Sequence, residues 1–265
     1  MLSEEYLTDI NKAIKLLEKN YNINVSLASS GGSTDIGLNN ISDSDFDIYA
    51  LAKDLRKDEI TFKSQNIDIF CFSEDYVIKN MHSWELICHK YPTILYRDLN
   101  PNTNEYNDSA RSLIMRIMIS NLILRDNYLL TNPKEVARGL IIINVLDYFY
   151  SRAYSSHKIF IECDNIPVRK YLYTLYNVYA MKWVLQQKSR PLDFFRLFSL
   201  YGANSNVCKK VISLYCMNIN SNSKDDLVIN KDDEINNYIH ENLTKLQFDI
   251  SAYFENKENE TLKIY

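Results

Sequence analysis

The residues best suited to chemistry lie in the stretch 27–48, LASSGGSTDIGLNNISDSDFDI. Residues 29–33 are all Ser or Gly, and a tight turn of such residues can direct backbone N–H groups at a phosphate. Eleven residues separate Ser33 from the acid pair Asp45 and Asp47. Strand periodicity places both carboxylates on one face, where a divalent cation would relieve their repulsion. The stretch therefore predicts a joint site for an anion and a metal ion, and a glycine turn before an acidic surface loop is the competing interpretation.

A third acid lies further along, in residues 65–72, QNIDIFCF. Their alternation predicts a strand in which Asp68 faces away from Ile67 and Ile69. Asp68 is then either a hydrogen-bonded structural residue at a sheet edge or a third metal-site carboxylate. Because we expect the strand of Asp45 and Asp47 to be its neighbour, we favour the metal-site interpretation.

The surrounding pattern supplies the elements that must position these acids. Apolar spacing predicts an amphipathic helix over 3–20, and alternation from Ile23 to Leu27 predicts a first strand. The second strand is predicted at 45–51. A short helix is expected at 34–38, where its dipole would add to the anion site. The charged residues 53–63 are expected to form a connection or a sheet edge.

From residue 73 onward the pattern changes to helices. Residues 100–109 and 220–231 are polar and are predicted to be loops. We divide the α+β chain into a domain over 1–105 and a helical domain over 106–265. The predicted helices are 74–90, 110–130, 133–154, 167–187, 191–201, 206–217 and 232–253.

Composition excludes several functional classes. The 265 residues carry a net charge of −4, which disfavours non-specific coating of a polynucleotide. No apolar run approaches the roughly 20 residues of a membrane helix, and the N-terminus lacks the basic start and apolar core of a signal peptide. We therefore expect a cytoplasmic protein without a membrane partner.

The combination of GGS, eleven residues, DFDI and then a third acid in IDIF resembles the nucleotidyltransferase superfamily related to DNA polymerase β. More narrowly, the chain is similar to the YcgL-like or RNA-repair-associated predicted nucleotidyltransferases of bacteria and their phages. The helical half adds weaker matches in HKYPTIL at 89–95, RKYLY at 169–173, Trp183 and PLDF at 191–194. The resemblance covers roughly residues 28–198.

This resemblance implies a polymerase-β-like core, made of a short mixed sheet with helices, joined to an all-helical C-terminal domain. It also implies transfer of an NMP from an NTP, such as ATP, to a hydroxyl acceptor with release of pyrophosphate. The acceptor would be an RNA or tRNA end, a protein or a small molecule. The implied metal is Mg²⁺, with Mn²⁺ as a substitute, held by Asp45, Asp47 and Asp68.

The resemblance further implies that the Gly32 N–H and the Ser33 hydroxyl bind the β- and γ-phosphates. Arg169, Lys170 and Lys182 are candidates to meet phosphates, and a solvated helix face is their alternative role. The tyrosines of this helix would either stack a base or pack in the core, and we favour core packing. The candidate nucleotide-binding residues are thus Gly32, Ser33, Arg169, Lys170, Tyr173 and Lys182.

Two departures from the family pattern motivate a second hypothesis. Thr34 stands where many members have an arginine, and the arginine expected downstream of the tyrosines is replaced at Tyr176 or Asn177. The chain would then be a catalytically weakened nucleotide-binding or protein-interaction module, such as a phage factor acting on host defence.

Overall fold

The computed structural model describes residues 4–38, 46–77, 116, 119, 120, 123–126, 142–221 and 227–256. These residues form an α+β protein with a mixed five-stranded sheet. They divide into two compact units. The predicted boundary between residues 105 and 106 lies outside the described residues. The first unit holds 4–35, 46–77, 116, 119, 120 and 123–126; the second holds 36–38, 142–221 and 227–256.

The first unit is built on the five-stranded sheet, whose strand order is β3-β4-β2-β1-β5. Strands β2 and β4 pair in parallel, and the other neighbouring strands pair antiparallel. The elements are α1 (Glu4–Tyr21), β1 (Asn24–Ser30), α2 (Gly32–Asp35), β2 (Phe46–Lys53), β3 (Glu59–Ser64), β4 (Ile67–Ser73) and β5 (Ile123–Asp126).

Helix α1 covers one face of this sheet with its apolar stripe. Ile10, Ile14 and Leu17 are spaced at helical intervals and are almost fully buried against the alternate residues of β2 and β4. By the same alternation, the opposite face carries Asp47 and Asp68 together with buried apolar residues such as Tyr49 and Leu51. The predicted amphipathic helix and the three predicted strands are therefore confirmed.

The structure corrects one local prediction and confirms another. The predicted helix over 110–130 is wrong at 123–126, because β5 pairs with β1 and extends the sheet. An edge of the sheet offers unpaired backbone groups, and pairing with them outweighs a local helical pattern. The charged segment 53–63 was expected to form either a connection or a sheet edge. It contains β3, an edge strand, so the expectation of a sheet edge is confirmed.

The second unit is organised around a buried central helix, α4, which contacts α3, α5, α6 and α7. It also contains a two-stranded antiparallel sheet, so the prediction of an all-helical domain is wrong at β6 and β7. Within the described ranges, no helix has the length and apolar character required to cross a membrane. The elements are α3 (Ile142–Glu162), β6 (Asn165–Pro167), α4 (Val168–Gln187), α5 (Phe194–Tyr201), α6 (Cys208–Asn220), β7 (Val228–Asn230) and α7 (Asp233–Asn256).

Candidate functional site

The parallel pairing of β2 and β4 places two of the three predicted acids side by side. Asp47 is paired in register with Asp68, and adjacent strands lie about 4.8 Å apart. Paired residues point to the same face of a sheet, so both carboxylates lie opposite the face that α1 covers. The expected neighbourhood of these two acids is thus observed. Like charges placed directly opposite each other are destabilising and require compensation.

A lysine on the edge strand supplies part of that compensation. Lys63 on β3 is paired in register with Asp68, and its Nζ donates to Asp68 Oδ2 at 2.6 Å. The Lys63 side chain is 69% exposed and that of Asp68 only 13%. The ion pair is thus anchored at its carboxylate end and open to solvent at its amine end. Lys63, Asp68, Asp47 and Gly31 form one continuous row across the sheet, which we name the acidic row.

The glycine turn closes this row at its other end. Gly31 N donates to Asp47 O at 2.9 Å, and Gly32 adopts a left-handed φ of 61°. A Cβ on Gly32 would collide with Asp47 Oδ2, and a Cβ on Gly31 would collide with the Tyr49 ring. Gly32 therefore permits the turn to lie directly against the carboxylate of Asp47, and Gly31 permits it to lie against the Tyr49 ring.

The turn is shorter than predicted and continues into a different helix. Ser29 and Ser30, expected in the turn, belong to β1, and the short helix expected at 34–38 is instead α2, from Gly32 to Asp35. The Asp35 carboxylate lies within hydrogen-bonding distance of two hydroxyl donors, Ser30 Oγ at 2.7 Å and Ser120 Oγ at 2.9 Å. These contacts tie the end of the turn to residue 120, a link for which the sequence contains no local signal.

Two aromatic rings lie on the same sheet face as the acids, two residues further along β2 and β4, and an arginine contacts one of them. Tyr49 is paired with Phe70, and their rings stack with centroids 5.5 Å apart. The Arg116 guanidinium lies 5.2 Å from the centroid of the Tyr49 ring and donates to the Tyr49 hydroxyl. Arg116 thus brings a permanent positive charge to the acid-bearing face, although no motif in the sequence singled it out.

The candidate residues of the second unit lie on α4, but at its two ends. Arg169 and Tyr173 are four positions apart and share a helix face, and Lys170 is exposed. Lys182 is thirteen positions from Arg169, which corresponds to about 20 Å along the helix and about 140° around it. The helix therefore does not bring Arg169 and Lys182 together.

Lys182 lies between aromatic rings rather than in open solvent. Its Nζ is 6.0 Å from the ring centroid of Tyr179 and 5.8 Å from that of Tyr201. Burial lowers the pKa of the Lys182 amine and Lys245 lowers it further, whereas Asp249 opposes the shift. A cation in this setting has lost part of its hydration, which strengthens its attraction to an added anion.

Most of the tyrosines on α4 serve the core. Tyr171 and Tyr179 are fully buried and Tyr176 is 4% exposed, so the prediction of core packing is confirmed for these three. Tyr173 is only partly buried. A buried ring surrounded by other side chains has no face left for a base, and Tyr173 is thus the tyrosine of α4 best placed to contact a ligand.

Two members of the predicted site, Asp45 and the side chain of Ser33, lie outside the described residues. In that described part, no group of three His, Cys, Asp or Glu side chains is placed to hold a metal ion. Asp47 and Asp68 alone still fit Mg²⁺, which is commonly bound by one or two carboxylates and retains several waters.

Comparisons of the chain with protein-family models, with curated proteins and with solved structures gave no match. The resemblance to the nucleotidyltransferases consequently stays a prediction that rests on the motifs of the acidic row and the glycine turn.

Proposed function

We propose that the protein is a Mg²⁺-dependent nucleotidyltransferase with a polymerase-β-like core. It would move an NMP from an NTP to a hydroxyl acceptor and release pyrophosphate. The observation that carries this proposal is the pairing of Asp47 with Asp68 beside a glycine turn that touches Asp47. Two adjacent carboxylates suit a divalent cation, and the backbone N–H groups of the turn would be available to phosphates that accompany that cation.

Each residue has a separate task in this proposal. Asp47 and Asp68, together with Asp45, would hold Mg²⁺ or Mn²⁺. The bound ion would neutralise phosphate charge and lower the pKa of the acceptor hydroxyl. Asp68 would also help to remove the proton of that hydroxyl as its oxygen bonds to the α-phosphorus and the bond to pyrophosphate breaks. The Gly32 N–H and the Ser33 hydroxyl would hold the β- and γ-phosphates in line for this displacement.

Arg116 offers a cation that the glycine turn lacks. In the family pattern an arginine follows the Gly-Ser pair, and Thr34 occupies that position here. Arg116 lies on the acid-bearing face through its contact with Tyr49. Within α4, about 20 Å along the helix axis separates Arg169 from Lys182, so one phosphate group would contact only one of the two.

The test is label transfer from each α-labelled NTP to total RNA or to cell lysate, with Mg²⁺ or Mn²⁺. Wild-type protein should label an acceptor with at least one NTP, and Asp47→Asn should reduce the rate by about 100-fold or more, since even outer-shell partners of metal ligands contribute 10–100-fold. Asp9→Asn is a matched control, because Asp9 also forms an ion pair, with Lys12 at 2.9 Å, but lies on α1.

One observation favours the alternative of a catalytically weakened nucleotide-binding module. The Asp68 carboxylate already forms an ion pair with Lys63, so its charge is balanced without a metal. A module of this kind would bind an NTP but transfer no label in the same assay. Equal transfer by wild type and Asp47→Asn would instead refute a role for the acidic row.

A further inference from the structure

Two histidines lie against each other where helix α3 packs on helix α7 within the second unit. The ring centroids of His157 and His240 are 5.5 Å apart, and the ring planes meet at 27°. His157 is buried, at 6% exposure, whereas His240 is exposed. The pair therefore has one imidazole in the protein interior and one that solvent can reach.

Contacts on both sides of the pair fix the register of the two helices. Seven residues away along each helix, which is about two turns, Tyr150 Oη donates to Gln247 Oε1 at 3.2 Å. In the other direction, Lys231 Nζ donates to Ile161 O at 3.2 Å. The two helices are therefore antiparallel, and their register holds the two histidines opposite each other.

Buried apolar side chains surround the backbone of both histidines. Ala153 and Phe160 on α3 and Leu243 on α7 each lie one helical turn from a histidine, and their exposure is 3% or less. Close-packed interiors of this kind resist changes in the spacing of their helices. The distance between the two imidazoles is thus set by the packing of the unit.

The environment of His157 favours the neutral imidazole that a metal ion requires. Burial lowers the pKa of His157 and His240 lowers it further, against a hydrogen bond with the Asn236 backbone that raises it. If a neutral ring donates its N–H to a backbone carbonyl, its other nitrogen keeps a lone pair. This second contact is typical of histidines that bind metal ions.

The ring separation also matches that of two imidazoles on one ion. For Zn–N distances of about 2.0–2.1 Å and a tetrahedral angle, two ring centroids lie about 5–5.5 Å apart. The observed value is 5.5 Å. Rotation of the two side chains would therefore suffice for binding, without a shift of α3 against α7.

The protein supplies two ligands at this position from its described residues. No group of three His, Cys, Asp or Glu side chains that could hold a metal ion occurs in that part of the chain. Water would complete the coordination shell on the side of the exposed His240. Because catalytic zinc sites usually have three protein ligands, we expect a weaker site whose ion exchanges with solvent.

We propose that His157 and His240 bind a divalent transition-metal ion, such as Zn²⁺, Ni²⁺ or Co²⁺, which links α3 to α7. Imidazole nitrogen suits these ions, whereas Mg²⁺ prefers oxygen ligands. The site is therefore independent of the proposed function, which concerns carboxylates of the first unit.

Equilibrium dialysis of the full chain against Zn²⁺ tests the site, with excess Mg²⁺ present to occupy carboxylate sites. Wild type should bind Zn²⁺. Both His240→Gln and His157→Gln should weaken this binding at least about tenfold, since the loss of even an outer-shell partner of a metal ligand costs 10–100-fold. If His157→Gln does not fold, His240→Gln still decides, because His240 is exposed.

The double variant His82→Gln, His89→Gln is the matched control. These are the other two of the four histidines of the chain, and they lie outside the described residues. The control should keep the wild-type affinity for Zn²⁺. No binding by wild type, equal binding by wild type and His240→Gln, or a loss of binding only in the control would each overturn the proposal.

The melting temperature tests the link between the two helices. Zn²⁺ should raise the melting temperature of wild type and of the control but not that of His240→Gln, because a ligand that binds only the folded state stabilises it. Without Zn²⁺, wild type and His240→Gln should melt at similar temperatures. An equal rise in wild type and His240→Gln would refute a link through this pair.

Discussion

The acidic row of the first unit and helix α4 of the second unit use their polar residues in opposite ways. In the acidic row, residues distant in sequence are brought side by side, because neighbouring strands align Lys63, Asp68 and Asp47 in register. On α4, residues close in sequence are spread apart, because each step along a helix turns the side chain by about 100°.

The comparison shows why candidate site residues identified from the sequence are more easily combined into one site on paired strands than along one helix. Two acids on paired strands reinforce each other in one site, whereas Arg169 and Lys182 on one helix point in different directions. The tyrosines of α4 complete the contrast, because Tyr171 and Tyr179 are fully buried and stabilise the fold. The proposed site therefore rests on the acidic row, whereas the buried tyrosines of α4 stabilise the fold.

The largest expected effect tests the stabilising role of α4. Tyr179 is fully buried, and the ring centroids of Phe194, Phe198 and Tyr201 lie within 6.5 Å of its own ring centroid. Tyr179→Ala should lower the free energy of unfolding by about 3–5 kcal/mol, measured by urea denaturation. Tyr173→Ala, at a partly buried position on the same helix, should cost less than half as much. Equal losses of the free energy of unfolding would contradict the distinction between fully and partly buried tyrosines on α4.

The second prediction concerns the close approach of the turn to Asp47. Gly32→Ala should reduce label transfer about 100-fold, because the new Cβ displaces a carboxylate proposed as a metal ligand. Gly37→Ala is the control, since its φ of 75° carries similar strain but a Cβ there only touches Asp193. Both variants should lose about 1–2 kcal/mol of stability from strain. Transfer at the wild-type rate by Gly32→Ala would contradict the proposed site.

The third prediction concerns the pH dependence of the stability of the second unit. His157 on α3 is buried and stacks on His240 of α7 with ring centroids 5.5 Å apart. Burial lowers the pKa of His157 and His240 lowers it further, while a hydrogen bond with the Asn236 backbone opposes the shift. The pKa of His157 in the folded protein lies below the unfolded value of 6.5. The contribution of neutral His157 to the free energy of unfolding is therefore fully present above pH 6.5 and is lost as the pH falls through the folded pKa.

The measurement is the melting temperature between pH 8 and pH 5 for wild type and His157→Gln. The fall in melting temperature below pH 6.5 should be smaller in His157→Gln, since glutamine does not titrate. Parallel curves for the two proteins would show that the packing of α3 on α7 does not depend on the charge of His157.

The smallest expected effect concerns the exposed end of the acidic row. Lys63→Met should change the free energy of unfolding by less than about 1 kcal/mol, as for most exposed ion pairs. Lys12→Met, which breaks the pair of a similarly exposed lysine with Asp9, is the control. If Asp68 is a metal ligand, Lys63→Met should tighten Mg²⁺ binding about fivefold, or roughly 1 kcal/mol, because the competing amine is gone. Unchanged Mg²⁺ affinity would favour a purely structural Asp68.

Local periodicity was sufficient for much of the fold and for part of the site. Alternation identified β2 and β4 and placed Asp47 and Asp68 on the face away from the apolar residues. Helical spacing identified α1 and the helices of the second unit from α4 onward. These features depend on neighbours within a few residues, and the sequence displays such neighbours directly.

The tertiary structure alone decided which distant segments meet. Strand β5 formed where a helix was predicted, since only the folded sheet offers the edge that it pairs with. Ser120 reaches Asp35 across 85 positions, and Asn218 reaches Leu38 across 180. Arg116 likewise joins the acid-bearing face through Tyr49, 67 positions away. Such contacts depend on strand register and on which distant segments pack together, and no local pattern in the sequence encodes either. The sequence alone therefore identified the candidate acids, whereas the tertiary structure determined which groups surround them.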